Sequence, residues 1–531
     1  MPLDSSIKVE MPEHCVKVPK NGTSYIQYTV RAYRNAKGKP TSARIVIGKL
    51  DEETGMLIPN RNYYEYFHKE MPPKIPGIIR STGSYAAFSG IARKLGLEKT
   101  VYDVFGKDKG KEMLTVAHYM LCEGNVMYYL PDFTDENMSY MKTPLSGSDS
   151  SCLFASITPT ERAVFFNNWM KKKHSNEYIA YDVTSISSYG IGTDSFEWGY
   201  NRDKERLRQI NFGMYFGEDS KLPLYYRLYP GSIPDKAHLP YMLDDTDSFL
   251  HGKKLYFVMD RGFYSADNLR YITGKGYRFL IALPRTLRYS NELIDRHRDE
   301  IVNRSECYLG AGKPYGKVFE VTELGFRMNV HLCYDPVKAA KDSEELQTEL
   351  QRLENELAGM EEPPDRVLHY DRYFFINRSK DGKMGHRRNN AAIDKALSRC
   401  GFFLLAETDF RKTTSEILDI YRRRDTIEKS FDNLKNDLDM HRLHTHNDET
   451  AEGKVFCAFL SLVVLSDMMN CLGEYMNEHK LTFRKILLEL GKVKCSVSGS
   501  GLCTLLNPLS KTVKDIFSLL SIPSNYLGSF V

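Results

Sequence analysis

The sequence of 531 residues has no long unbroken apolar run, no Cys-x-x-Cys pair, no internal repeat and almost no net charge. Each shortage excludes something. The most apolar stretch, Val455 to Met469, is interrupted by Ser461, Ser466 and Asp467. It is too short for a bilayer span, which needs about 20 apolar residues, so a buried helix and no membrane partner are expected. Ten cysteines scattered singly argue against a zinc ribbon and fit free thiols in a reducing cytoplasm. The polar first twenty residues do not read as a secretory leader. A net charge of +4 gives no global field, so any nucleic-acid surface must be a local patch. What is present is an ordinary globular apolar fraction of 42%, with length for three or four domains.

Taken in order, residues 1–80 read as a β-rich region. YIQYTVRAYRNAKGKPTSARIVIGKL (25–50) reads as a hairpin around the turn-prone Asn35 to Gly38. Arg31, Arg34, Lys37, Lys39 and Arg44 make it basic. It fits a run along DNA phosphates and, equally, a small solvated hairpin. Residues 81–150 read as mainly helical. SYAAFSGIARKLGLEKTVYDVF, turning at Gly96, suits either a helix-turn-helix DNA reader or a plain bundle. The Ser, Asp, Pro and Gly of 131–152 suggest a linker.

From Glu177 the texture is that of an α/β sheet. EYIAYDVTSIS, QINFGMYFG, LPLYYRLYPGS and KKLYFVMDRGF read as four strands; ADNLRYITGKG reads as a helix and YRFLIALPR as a fifth strand. These belong to a core segment, 151–290. Residues 291–400 read as an insertion whose charged helix carries Leu346, Leu350, Leu353, Leu357 and Met360. Either a helical arm or a packed helix fits, ending at Pro363-Pro364. GFFLLAETD resumes the core in a second segment, 401–475. A helical tail, 476–531, holds a Ser/Gly break at Ser496 to Gly501 and a final helix, SKTVKDIFSLL.

The stretch TTSEILDIYRRRDTIEKSFDNLKNDLDM (413–440) reads as one long helix opened by a Thr413/Glu416 capping box. Ile420, Ile427, Phe431, Leu434 and Leu438 make its buried stripe. At about 100° per residue, Tyr421, Arg424, Glu428 and Lys435 share one face beside it. A solvated charged face is the ordinary explanation of such a pattern. Asp182 sits mid-strand, where a lone carboxylate is costly, so a cation should face it. A plain salt bridge or a bond to Thr184 would serve as well as a functional role. Asp260 ends a strand ahead of Gly262, which suits a turn or a site. If Asp182, Asp260 and Glu428 meet, they offer hard oxygen ligands. His441, His444 and His446 lack a thiolate partner and are not expected to hold zinc. Trp198 is expected in the core rather than on a nucleobase.

The spacing Tyr421-x2-Arg424-x3-Glu428-x6-Lys435 resembles the Y-R-E-K signature of DDE transposases of the insertion-sequence-four type. Asp182 in YDVTS and Asp260 in MDRGF resemble the two strand aspartates of that family. The long gap before Glu428 resembles its insertion, and PLYYRLYPGS and GFFLLAETD resemble its longer-protein branch. The resemblance covers roughly residues 177 to 475. It implies a ribonuclease-H-like mixed-sheet core with an insertion domain and a mainly helical N-terminal DNA-binding region. It implies Asp182, Asp260 and Glu428 as catalytic ligands of two Mg²⁺ or Mn²⁺ ions, chosen over Asp425 and Asp432 by register. It also implies Tyr421, Arg424 and Lys435 at DNA phosphates. The expected activity is cleavage of transposon ends and their joining to target DNA, by a homodimer in a synaptic complex. The expected location is the cytoplasm of a prokaryote, at the nucleoid. A silent DNA-binding descendant or a nuclease without strand transfer are the alternatives.

Overall fold

The structure is a computed structural model. It describes residues 7–20, 23–35, 37–52, 54–69, 78–141, 143–173, 177–190, 194–249, 255–360, 370–378, 384–497, 503–523 and 526. Pro363-Pro364, Ala36 of the expected turn and most of the Ser496 to Gly501 break lie outside the described residues. The chain forms two compact units, residues 1–86, 136–138 and 489–531 in one, and 87–135 and 139–488 in the other.

The first unit holds an antiparallel sheet of β1 (Cys15–Lys20), β2 (Thr23–Arg34), β3 (Pro40–Leu50) and β4 (Leu57–Pro59). A short helix, α1 (Arg61–Tyr66), packs on it. Ile26, Ile47, Leu57, Tyr63 and Tyr64 form its core. The expected hairpin is β2 with β3, paired from Tyr25↔Lys49 to Arg34↔Pro40. A second small sheet joins β5 (Ile78–Ser81) to β16 (Lys494–Val497) and β17 (Cys503–Leu505). The tail is therefore not purely helical: Lys494 to Val497 pairs with β5, and only α17 (Lys511–Leu519) matches the expected final helix. The chain passes between the units within α2 (Gly83–Lys94), on either side of residues 136–138, and within α16 (Phe483–Gly491).

The second unit opens with α3 (Leu97–Phe105), α4 (Lys107–Glu123), α5 (Leu130–Glu136), α6 (Gly147–Ser156) and α7 (Pro159–Lys173). The turn at Gly96 is present and left-handed, with φ +71°. In α4 every residue from Met113 to Cys122 is buried, and α3 turns Lys99 and Asp103 to solvent, a face without positive bias. The segment read as a linker runs through most of α5 and into α6. Its Ser146 and Asp149 form a capping box, so those polar residues start a helix rather than fill a loop.

An eight-stranded sheet follows, in the order β11, β12, β15, β10, β9, β6, β7, β8. Its strands are β6 (Tyr178–Ser188), β7 (Arg208–Gly217), β8 (Pro223–Pro230), β9 (Tyr256–Met259), β10 (Arg278–Leu283), β11 (Tyr315–Glu323), β12 (Phe326–Tyr334) and β15 (Phe402–Glu407). The strands β6, β7 and β8 run antiparallel, whereas β9 is parallel to both β6 and β10. This mixed order fits a ribonuclease-H-like core. Flanking helices are α8 (Asp235–Phe249), α9 (Ala266–Gly274) and α10 (Arg288–His297). The region read as an insertion supplies two strands of this same sheet, because β12 pairs with β15. Its remainder, α11 (Pro336–Ala358), a hairpin of β13 (Phe374–Arg378) and β14 (Met384–Arg388), and α12 (Asn390–Leu397), forms a small cluster around Leu350, Leu353 and Leu357. The leucine stripe therefore packs locally.

The stretch read as a single helix is broken into α13 (Thr414–Arg423), α14 (Asp425–Asp432) and a π-helical turn, Asn433–Asp437. The last long helix, α15 (Asp448–His479), runs well beyond the apolar stretch seen in the sequence. It is long and apolar enough to cross a membrane, but its apolar window is mostly buried inside the protein. There it packs on α4 and α6.

Candidate active site

Strand β6 is buried along nearly its whole length, and Asp182 at its centre is 5% exposed. The expected facing cation is present twice. Arg424 Nη1 lies 3.3 Å from Asp182 Oδ2, and Arg202 Nη1 lies 3.6 Å from Oδ1. The Val183 amide donates to Oδ1 at 2.8 Å. Burial pushes the Asp182 carboxyl above its ordinary range; Arg202, the Val183 amide and Arg424 oppose the shift, and the charge of Asp260 adds to it. Asp260 thus lies within electrostatic reach. The sheet explains why: Tyr181 pairs with Met259 across the parallel β6 and β9, so the next residue on each strand is an aspartate. The Asp260 side chain accepts from the Arg261 amide and caps the short turn Arg261–Phe263.

Glu428 comes from α14. The Thr413/Glu416 capping box is formed, with the Thr413 amide donating to Glu416 at 2.8 Å, and it fixes the start of α13. Arg424 sits at the junction of α13 and α14, where its amide bonds to Tyr421 at 3.2 Å in a tightened turn. From there it reaches Glu428 Oε1 at 2.6 Å as well as Asp182. Its guanidinium lies 5.8 Å from the Tyr421 ring centroid. Burial raises the Tyr421 hydroxyl to about 12. Neither Asp425 nor Asp432 has an ion pair among the described residues; both are exposed.

Lys435 departs from the expected face. It is 7% exposed, and its Nζ lies 2.7 and 2.8 Å from the two Asp203 oxygens. The π turn is the reason. A wider turn breaks the 100° step that a shared face requires and rotates Lys435 inward. His441 meets Asn436 at 3.0 Å and Asp203 at 3.8 Å, and the His444 carbonyl accepts from Lys454.

The residues missed from the sequence lie between β6 and β7. Asn201 folds this loop, accepting from Asp203 and Glu205 amides and donating to Ser187. That presents Arg202 to Asp182 and Asp235, and Asp203 to Lys435. The need for a cation at Asp182 was legible; which arginine supplied it depended on how the loop closes. Trp198 is in this loop and not in the core, at 63% exposure. The backbone of the segment meets the sheet through a bridge of Glu197 to Gln209 of β7, and Gly199 lies too close to the Gly231 carbonyl for a side chain to fit.

Three carboxylates are hard donors suited to Mg²⁺ or Mn²⁺, so the chemistry of the set fits a divalent cation. Among the described residues no three His, Cys, Asp or Glu side chains form a ready cage. Arg424 bridges Asp182 and Glu428 and supplies positive charge between them.

The sequence matches the family described as "Transposase DDE domain" over residues 173–464. No curated protein matches the chain. Among solved structures, a piggyBac transposase synaptic complex with hairpin DNA is similar, at 9% identity and a TM-score of 0.36, over 84% of this chain and 83% of that one.

Proposed function

The chain belongs to the transposase DDE domain family, and from that premise we propose that it binds the ends of a mobile DNA element, cleaves them and joins them to target DNA. The observation that carries this reading is the placing of Asp182 and Asp260 at adjacent positions of neighbouring strands, with Glu428 tied to Asp182 through Arg424. In this reading the three carboxylates would hold two Mg²⁺ or Mn²⁺ ions. Bound there, the ions supply activation of a water or 3′-hydroxyl and stabilisation of the leaving oxygen. The chain's own groups do the positioning. Arg202 and the Val183 amide hold the Asp182 carboxylate in place. Arg424 and Tyr421 turn toward the phosphate beside the scissile bond, a guanidinium and a phenol both suiting its oxygens. Lys435 reaches phosphate by exchanging Asp203 for it. One site per chain and two ends per element imply a homodimer on paired ends.

The test compares Asp182→Asn, Asp260→Asn and Glu428→Gln with Asp432→Asn. The substrate is duplex DNA bearing the inverted repeats that flank the gene. End binding and Mg²⁺- or Mn²⁺-dependent cleavage are measured side by side. The three site variants bind and do not cut, and Asp432→Asn cuts normally. Wild-type protein that binds ends and cuts with neither metal would defeat the proposal.

A further inference from the structure

We propose that the distal half of the β2–β3 ribbon enters the major groove of duplex DNA, as a contact surface separate from the carboxylate site. The DNA partner rests on the function proposed above; the geometry stands without it. From His14 to Leu50 the chain has no Asp or Glu, while Arg31, Arg34, Lys37, Lys39 and Arg44 cluster at the ribbon's end. The two strands change character along their length. Near the α1 end Ile26 and Ile47 are buried against Tyr63 and Tyr64. From Val30 to Arg34 every residue is exposed, although successive side chains point to opposite faces. A strand exposed on both faces projects away from its core. Beyond a bulge at Val30, the paired stretches Arg31–Arg34 and Pro40–Ala43 extend about 13 Å at roughly 3.3 Å per residue. A major groove about 12 Å wide and 8.5 Å deep admits a two-stranded ribbon of this kind.

The charges are arranged for a partner. Arg31 and Tyr33 share one face, with the guanidinium 5.7 Å from the ring centroid. By register, Arg34 and Arg44 lie on the other. Both walls of a groove would therefore meet cations. Among the described residues none of the five has a carboxylate partner; Arg34 donates only to the Gly38 carbonyl, at 3.1 Å. A merely solvated hairpin gains nothing from five like charges at its end, because close like charges are destabilising. A polyanion removes that cost. A-form RNA is a poor fit, since its major groove is too narrow to be read.

The experiment uses the full chain and a labelled 30-base-pair duplex of mixed sequence, with anisotropy followed across a KCl series. The triple variant Arg31→Ala, Arg34→Ala, Arg44→Ala is compared with wild type. A control triple, Arg288→Ala, Arg327→Ala, Arg352→Ala, loses equal charge elsewhere. We expect the slope of log affinity against log salt to become shallower by about 2.7 in the ribbon variant and to stay unchanged in the control. Melting temperatures confirm folding of both. An unchanged slope, the same loss in the control, equally tight binding of duplex RNA, or displacement by a minor-groove ligand would each overturn the proposal. Binding alone is read. A chain that binds through the ribbon and never cuts would therefore defeat the transposase reading and leave the ribbon standing, and normal end cleavage with an unchanged slope would do the reverse.

Discussion

The ribbon and the carboxylate site use the same cationic side chains in opposite states. At the ribbon, arginine and lysine stand in solvent with no acid between His14 and Leu50 and, among the described residues, no carboxylate partner. At the site, Arg202, Arg424 and Lys435 are each held by carboxylates, two of which, Asp182 and Glu428, share Arg424. The free cations can only gain by meeting phosphate. The held ones must first give up a partner, so their removal disturbs the fold before it disturbs binding. A basic residue on a helix face is therefore a weaker sign of DNA contact than a basic residue on a projecting edge.

The comparison can be broken from the side of the site, where the largest effect is expected. Asp182→Asn should lower metal-dependent cleavage by at least about a thousandfold with end binding within about twofold. If binding fell as far as cleavage, Asp182 would be a structural residue. Next in size is Arg424→Met, which leaves Asp182 with a more distant cation. A loss of about 2–3 kcal/mol at pH 7 is expected from urea melts. The loss should shrink toward pH 4, since protonation of Asp182, whose carboxyl is already shifted upward, removes the unpaired charge. A pH-independent loss would assign the effect to packing. Lys435→Ala should cost about 2 kcal/mol, and a double-mutant cycle with Asp203→Ala should return a coupling of about 1 kcal/mol or more. Unchanged stability with a salt slope reduced by about one would place Lys435 with the ribbon cations instead.

Glu218 sharpens the comparison from a third position. It is as buried as Asp182, at 1% exposure, yet among the described residues neither of its oxygens has a hydrogen-bond partner. Burial pushes it from 4.5 to about 8, with Arg423 opposing and Asp219 and Glu177 adding to the rise. A carboxyl raised in the folded chain favours folding fully below its ordinary value and loses that contribution as pH rises through about 8. Glu218→Gln should therefore leave melting unchanged near pH 4 and raise stability near pH 9, on the order of a few kcal/mol at most. A gain equal at both pH values would contradict the burial account. The smallest effect is expected at the ribbon: Arg34→Ala alone should change stability by less than about 0.5 kcal/mol and the salt slope by about 0.9.

By itself the sequence determined the strands of the core in order, the Thr413/Glu416 cap, the Gly96 turn, the β2–β3 hairpin and the acidic positions on β6, just after β9 and on α14. Local periodicity, turn chemistry and the cost of a carboxylate inside a strand are enough for these. Polar composition misled where capping looks like a linker, as at Ser146 and Asp149. Only the tertiary structure decided that β12 pairs with β15, drawing two strands of the expected insertion into the main sheet, and that residues 494–497 pair with β5. Such pairings join residues far apart in sequence and leave no local period. Only the tertiary structure, too, turned Lys435 inward through a π turn and brought Arg202 to Asp182 from a loop. One added residue in a helical turn, or the closure of one loop, moves a side chain from solvent to a buried ion pair without changing any pattern that can be read along the chain.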